Sequence, residues 1–198
     1  MTGSPDLPDG DANMIKESWA EPERFAVIFD RYFSEVHRYI ARRIGPGVAD
    51  DLAGEVFLAA FAQRRKYDTA RGCARPWLYG IATNLIGSHR RHERRLLRAI
   101  VRTGLPPAWQ CDEERLIDRV SAAATGPALA DALMTLTAGD RDVLLLVALA
   151  DLSYADVAAA LDIPYGTVCS RLNRARRLVR ASLGGINPIG DQERVGNA

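Results

Sequence analysis

The chain has 198 residues, 47% of them hydrophobic and 26% charged, a balance that excludes a largely disordered protein. A formal net charge of +1 hides an uneven distribution: eight arginines between 71 and 102 face only Glu93, and Arg171, Arg174, Arg176, Arg177 and Arg180 have no acid among them. No apolar run approaches the roughly 18–20 residues that span a bilayer, and residues 1–13 lack the basic and apolar blocks of a secretory leader, so the expected location is cytoplasmic without membrane insertion.

In chain order, residues 1–21 read as a disordered N-terminal segment. Phe25, Ile28, Phe29, Tyr32, Phe33, Val36 and Ile40 then recur at spacings of three and four, which predicts a long amphipathic helix ended by Gly45, Pro46 and Gly47. Asp50 and Asp51 favour the positive end of a second helix whose apolar face is Leu52, Val56, Phe57, Ala60 and Phe61. After a loop over 67–75, Pro76 suits the first turn of a third helix carrying Trp77, Leu78, Ile81, Leu85 and Ile86. Trp77 is read mainly as packing.

Gly104, Pro106, Pro107, Gly126 and Pro127 bracket a flexible acidic linker over 103–127, with one short helix expected at 113–123. The second domain, 128–184, contains two starts of capping-box type, Thr137 with Asp140 and Ser153 with Asp156. Tyr154, Val157, Ala158 and Leu161 form one stripe, and a turn through Asp162, Ile163 and Pro164 leads to a second stripe of Val168, Leu172, Ala175 and Val179. Asp162 is expected to take the left-handed conformation there. Residues 185–198 read as a mobile tail. The fold class is therefore all-α: two small helical domains on a linker, the second a helix-turn-helix.

Two short helices on a tight turn, the second rich in arginine, are the mark of a DNA-reading unit. At roughly 100° per residue, the apolar stripe leaves Gly166, Ser170, Asn173, Arg174 and Arg177 on the outer side, where they can meet base edges. Arg171, Arg176 and Arg180 flank that face at phosphate height, and Thr167 sits at the helix start with a hydroxyl and a backbone N–H. Arg174 is assigned a base contact.

The segment from Tyr165 to Arg176, YGTVCSRLNRAR, closely resembles the recognition helix of extracytoplasmic-function (ECF) sigma factors, the small promoter-specificity subunits of bacterial RNA polymerase. DDLAGEVF at 50–57 and PWLYGIATN at 76–84 are similar to that family's polymerase-binding and promoter-opening segments, and the likeness spans roughly residues 22–184. The resemblance implies a first domain at 22–102 that binds core polymerase at the beta-prime clamp and the minus-ten element, and a second that binds the minus-thirty-five element. By position, Asp50, Asp51, Glu55 and Phe57 would serve the polymerase surface. Asn84, with the 67–75 loop, would receive a flipped base, supported by Tyr79, Arg90 and Arg91. An anti-sigma factor is a further implied partner. Cys169 departs from the family's usual basic residue and leaves the promoter sequence open.

Other chemistry finds little purchase. Cys73, Cys111 and Cys169 are odd in number and widely spaced, as free thiols are. His89 and His92 lack further ligands for a metal, no cofactor is expected, and no phosphate loop or nucleophile elbow appears. A dimeric repressor or activator and a helical hydrolase are the competing readings. The first wants a ligand pocket or dimer helix and the second an assembled site, so a non-enzymatic sigma factor is the expectation.

Overall fold

The apolar spacing along the chain is helical throughout, and a computed structural model, which describes residues 9–102 and 126–183, contains helices and no strand among those residues. The long helices are α1 (Asp9–Glu17), α2 (Ala26–Ile44), α3 (Ala49–Gln63), α4 (Arg75–Arg102), α5 (Gly126–Met134), α6 (Ala138–Ala150), α7 (Tyr154–Leu161) and α8 (Tyr165–Ser182). Of the linker expected at 103–127, residues 103–125 with the short helix lie outside the described residues, as does the tail from 185, whereas Gly126 and Pro127 belong to α5.

The N-terminal expectation needs correction over residues 9–21. Low apolar content suggested disorder, but Ile15 of α1 is fully buried and Asp11 is buried beside it. Asp11 explains why so short a helix is retained. One carboxylate oxygen accepts from the Tyr32 hydroxyl at 2.5 Å and from the Ala74 backbone N–H at 2.9 Å, while Arg31 pairs with the other oxygen. The Ala74 amide is one of the donors left over at the start of α4, so a side chain more than sixty positions upstream caps that helix.

In the first half, α2, α3 and α4 pack around Ile28, Val36, Ile40, Val56, Leu78 and Ile86, all without solvent exposure. Helix α2 ends at Gly45, whose φ of 86° belongs to the left-handed side where a Cβ is strained.

In the second half, α8 packs on α5, α6 and α7 through Val168, Leu172, Ala175 and Val179, as the spacing predicts. The turn between α7 and α8 forms because Asp162 adopts φ 51°, ψ 49°, and the Ile163 amide returns to the Ala158 carbonyl at 3.1 Å. Asp tolerates that conformation better than most residues. Both expected caps exist, with the Thr137 and Ser153 hydroxyl oxygens accepting from the Asp140 and Asp156 amides.

The halves pack directly on one another, chiefly α4 against α7. A Cβ added to Gly80 would lie 2.3 Å from the Ala160 carbonyl oxygen, so only glycine permits this approach. Arg43, with 2% of its side chain exposed, donates to Asp142 at 2.5 Å, and Arg75 and Arg71 donate to the Ala150 and Ala159 carbonyls at 2.8 and 3.2 Å. The buried apolar residues of both halves form one continuous cluster.

Candidate nucleic-acid and polymerase interfaces

Three surfaces follow from the helices. On α3, Asp51, Glu55 and Leu58 share one exposed face at spacings of four and three. Leu58 is 69% exposed and shares this face with the two acids, an apolar position the sequence pattern does not single out. Asp50 is also exposed, with its carboxylate 2.9 Å from His37 Nε2. Phe57 does not belong on the surface. It is 4% exposed and lies beneath Phe29 and Phe33, with ring centroids 5.0 and 5.8 Å away. Phe29, 40% exposed, is the aromatic presented at this end of α2.

On α4 the expected promoter-opening residues separate. Asn84 and Arg91 are exposed. Tyr79 is 2% exposed, set edge-on to Tyr39 at 5.0 Å with the Arg75 guanidinium over its ring, so it is framework and not a stacking platform for a base. Burial first, and Glu35 next, push its hydroxyl up to about 12. Arg90 donates to the Arg43 carbonyl at 2.6 Å and thereby ties α4 to the end of α2. Burial, followed by the neighbouring Arg43 and Arg141 charges, lowers Arg90 to about 10. Trp77 packs on Tyr67 at 4.9 Å, as expected of a packing residue.

Asn84, Arg90 and Arg91 also line a cavity of about 570 Å³ whose opposite wall is Leu133, Met134 and Leu145 of the second half. The proposed minus-ten residues Asn84 and Arg91 are thus open to solvent but face the second half across this cavity.

On α8, Gly166, Ser170, Asn173 and Arg177 form one exposed stripe, and Arg176 is exposed on its flank. A Cβ at Gly166 would meet nothing within 4 Å, which leaves open space at the helix start. Thr167 is half-buried, and its carbonyl accepts from the Ser170 hydroxyl at 3.0 Å. Arg174 departs from expectation. Its Nε and Nη2 donate to the two carboxylate oxygens of Asp140 at 2.8 and 2.6 Å, so its fork is occupied inside the protein. Half-buried Arg171 lies over the same helix start, where a Cβ on Gly139 would come within 2.8 Å of its Nη1.

No cluster of three or more metal-ligating side chains occurs among the described residues. His89 pairs with Glu93 at 3.2 Å, and Cys73 and Cys169 are free thiols. No described helix is long and apolar enough to cross a membrane.

Comparison with known proteins places the chain in a family. Residues 28–96 match the Sigma-70 region 2 model and residues 127–179 the Sigma-70, region 4 model. The ECF RNA polymerase sigma factor SigC of Mycobacterium tuberculosis is 38% identical over 145 residues, covering 72% of this chain and 74% of its own. SigL from the same species is 33% identical over 168 residues, covering 83% and 91%. CnrH in complex with the cytosolic domain of CnrY shares the fold at a TM-score of 0.61, with 22% identity over 89% of this chain and 98% of that one. RpoE of Bartonella quintana in complex with the anti-sigma factor NepR does so at 0.58, with 20% identity, 82% and 98%. The chain belongs to the ECF subfamily of sigma-70 factors and directs core RNA polymerase to specific promoters in transcription initiation.

Proposed function

We propose that the three surfaces divide the work of initiation. The α3 face of Asp51, Glu55 and Leu58, with Phe29 at its edge, docks on the polymerase clamp. Asn84 and Arg91 of α4 engage the non-template strand at the minus-ten element. The α8 stripe of Gly166, Ser170, Asn173 and Arg177 enters the major groove at the minus-thirty-five element, with Arg176 toward phosphate. The observation that carries this reading is the α8 stripe: four positions at helical spacing that stay exposed while every residue of the opposite stripe is buried. The protein performs no reaction of its own and works in the cytoplasm.

Geometry adds a requirement. At ~3.4 Å per base pair, elements about 25 pairs apart are ~85 Å distant, whereas a compact body of about 150 residues has a radius of gyration near 15 Å. The packed halves cannot span both elements and must separate on the promoter. The cavity beside Asn84 and Arg91 supports the same reading, because Leu133, Met134 and Leu145 of the second half stand across it, where a DNA strand would have to pass. An anti-sigma factor is the further partner of this reading, since the similar RpoE of Bartonella quintana is seen in complex with one, NepR.

The test is run-off transcription with purified core polymerase on promoters selected from a random-sequence library. Chain-dependent initiation at a selected sequence supports the proposal. Equal initiation from random templates with and without the chain overturns it.

A further inference from the structure

Arg174 was assigned to DNA because it lies on the outer half of α8, yet its fork closes on Asp140. Asp140 has no solvent exposure and sits in the first turn of α6, where Thr137 caps the helix. A carboxylate without solvent exposure is costly, and the two bonds from the half-exposed Arg174 offset that cost. The bonds to Arg174 in first place, opposed by burial, keep its carboxyl below the usual range.

The packing shows what the pair adds. The α8 stripe of Val168, Leu172, Ala175 and Val179 seats the helix on α5, α6 and α7 through apolar contact, which is non-directional. Arg174 lies between that stripe and the exposed one, and its two-point bond to α6 adds a directional tie at the edge of the apolar contact. Arg171, one turn earlier on the same side, rests over Gly139. One flank of α8 is thus locked to the start of α6, while Arg176 on the other flank is exposed.

We propose that Asp140 is a specificity-determining positioning residue: by clamping Arg174 it sets the roll of α8 that aims Ser170, Asn173 and Arg177 at the bases, and it withholds a cation that would otherwise bind phosphate indiscriminately. The proposal rests on the reading of α8 as the promoter helix. Sequence is read by base-edge contacts, whereas a loose arginine adds affinity for any duplex.

The experiment uses holoenzyme assembled from the full chain, a duplex carrying an upstream element selected from a random pool, and a scrambled duplex. Asp140→Asn keeps the side chain's size and frees Arg174. The selected-to-scrambled affinity ratio should fall about tenfold, and the salt dependence of scrambled binding should steepen by about one unit of log–log slope, the mark of one added phosphate contact. Arg174→Gln, at a half-exposed site that tolerates the change, should lower the ratio without altering the slope, and the double variant should be no worse than either single one. An unchanged ratio in folded Asp140→Asn overturns the proposal. So does a slope that becomes shallower by about one in Arg174→Gln, which would make Arg174 a direct phosphate contact. If Asp140→Asn fails to fold, Arg174→Gln alone decides. A wild-type holoenzyme with no preference between the duplexes removes the reading of α8 itself.

Discussion

Gly80 of α4 and Ala160 of α7 meet backbone to backbone, so closely that the smallest side chain at Gly80 would stand 2.3 Å from a carbonyl oxygen. Alanine is the better helix former by about 1 kcal/mol, yet Gly80→Ala must push the halves apart because neither backbone can yield. Small-angle scattering should show a larger radius of gyration, with helical content by circular dichroism unchanged or slightly raised. An unchanged scattering profile would mean that the contact is not a constraint in solution.

Asp11 joins α1, α2 and the start of α4. Asp11→Ala removes a cap and leaves the buried Tyr32 hydroxyl and Ala74 amide without their acceptor. The expected loss is on the order of 2–3 kcal/mol, combining a cap with a buried polar group left unpaired. Chemical denaturation monitored by circular dichroism measures it. A loss under about 0.5 kcal/mol, within the range of surface substitutions, would mean that α1 contributes nothing to the fold.

The exposed α3 face predicts a separable defect. Reversing charge at Asp51 and Glu55 together should weaken capture by core polymerase and leave the melting temperature nearly intact, since both side chains face solvent. Leu58→Ala should weaken capture as well. Wild-type capture by all of these variants would place the docking surface elsewhere.

Asn84→Ala tests strand opening. Extruding a base costs a few kcal/mol, which a pre-melted bubble has already met. The variant should therefore initiate poorly on duplex promoters, near normally on bubble templates, and bind the upstream element as before. Permanganate footprinting with core polymerase reports opening directly, and normal footprints on duplex DNA would remove Asn84 from the mechanism.

Acid stability should reveal the Asp140–Arg174 pair. The Asp140 carboxyl is held below its ordinary value of 3.8, so the pair's contribution is fully present above that value and is lost as pH falls through the lowered one. The stability gap between wild type and Asp140→Asn, read by denaturant titration, should be constant near neutrality and shrink below pH 3.8. A gap that persists unchanged to the lowest pH reached would show that the carboxylate charge plays no part.

The helix-turn-helix was legible because its determinants are local. The stripe spacing of Val168, Leu172, Ala175 and Val179, the left-handed preference of Asp162 and the caps at Thr137 and Ser153 each act within a turn or two. The same locality made Asp51, Glu55, Asn84 and the α8 outer stripe correct as exposed positions.

Long-range partners decided the rest. Tyr79 looked available by type, and Phe57 was carried to the surface by the resemblance against its own apolar stripe; the neighbours that bury them, Tyr39 on one side and Phe29 with Phe33 on the other, come from a different helix. Arg174 pointed outward by periodicity, yet an arginine is long enough to reach back across the helix surface, and Asp140 lies 34 positions earlier in the chain. Residues 9–17 are too polar to fold alone and become a helix because Asp11 meets Tyr32 and Ala74. Gly80 carried a faint signal, an interior helical glycine that costs stability unless backbone must pass close by. Sequence by itself determined α2, α3, α4, α7 and α8 and the stripes they bury, because periodicity and capping are properties of neighbouring residues. Only the tertiary structure decided which polar side chains remain available to polymerase and DNA, because that depends on partners brought together from distant parts of the chain.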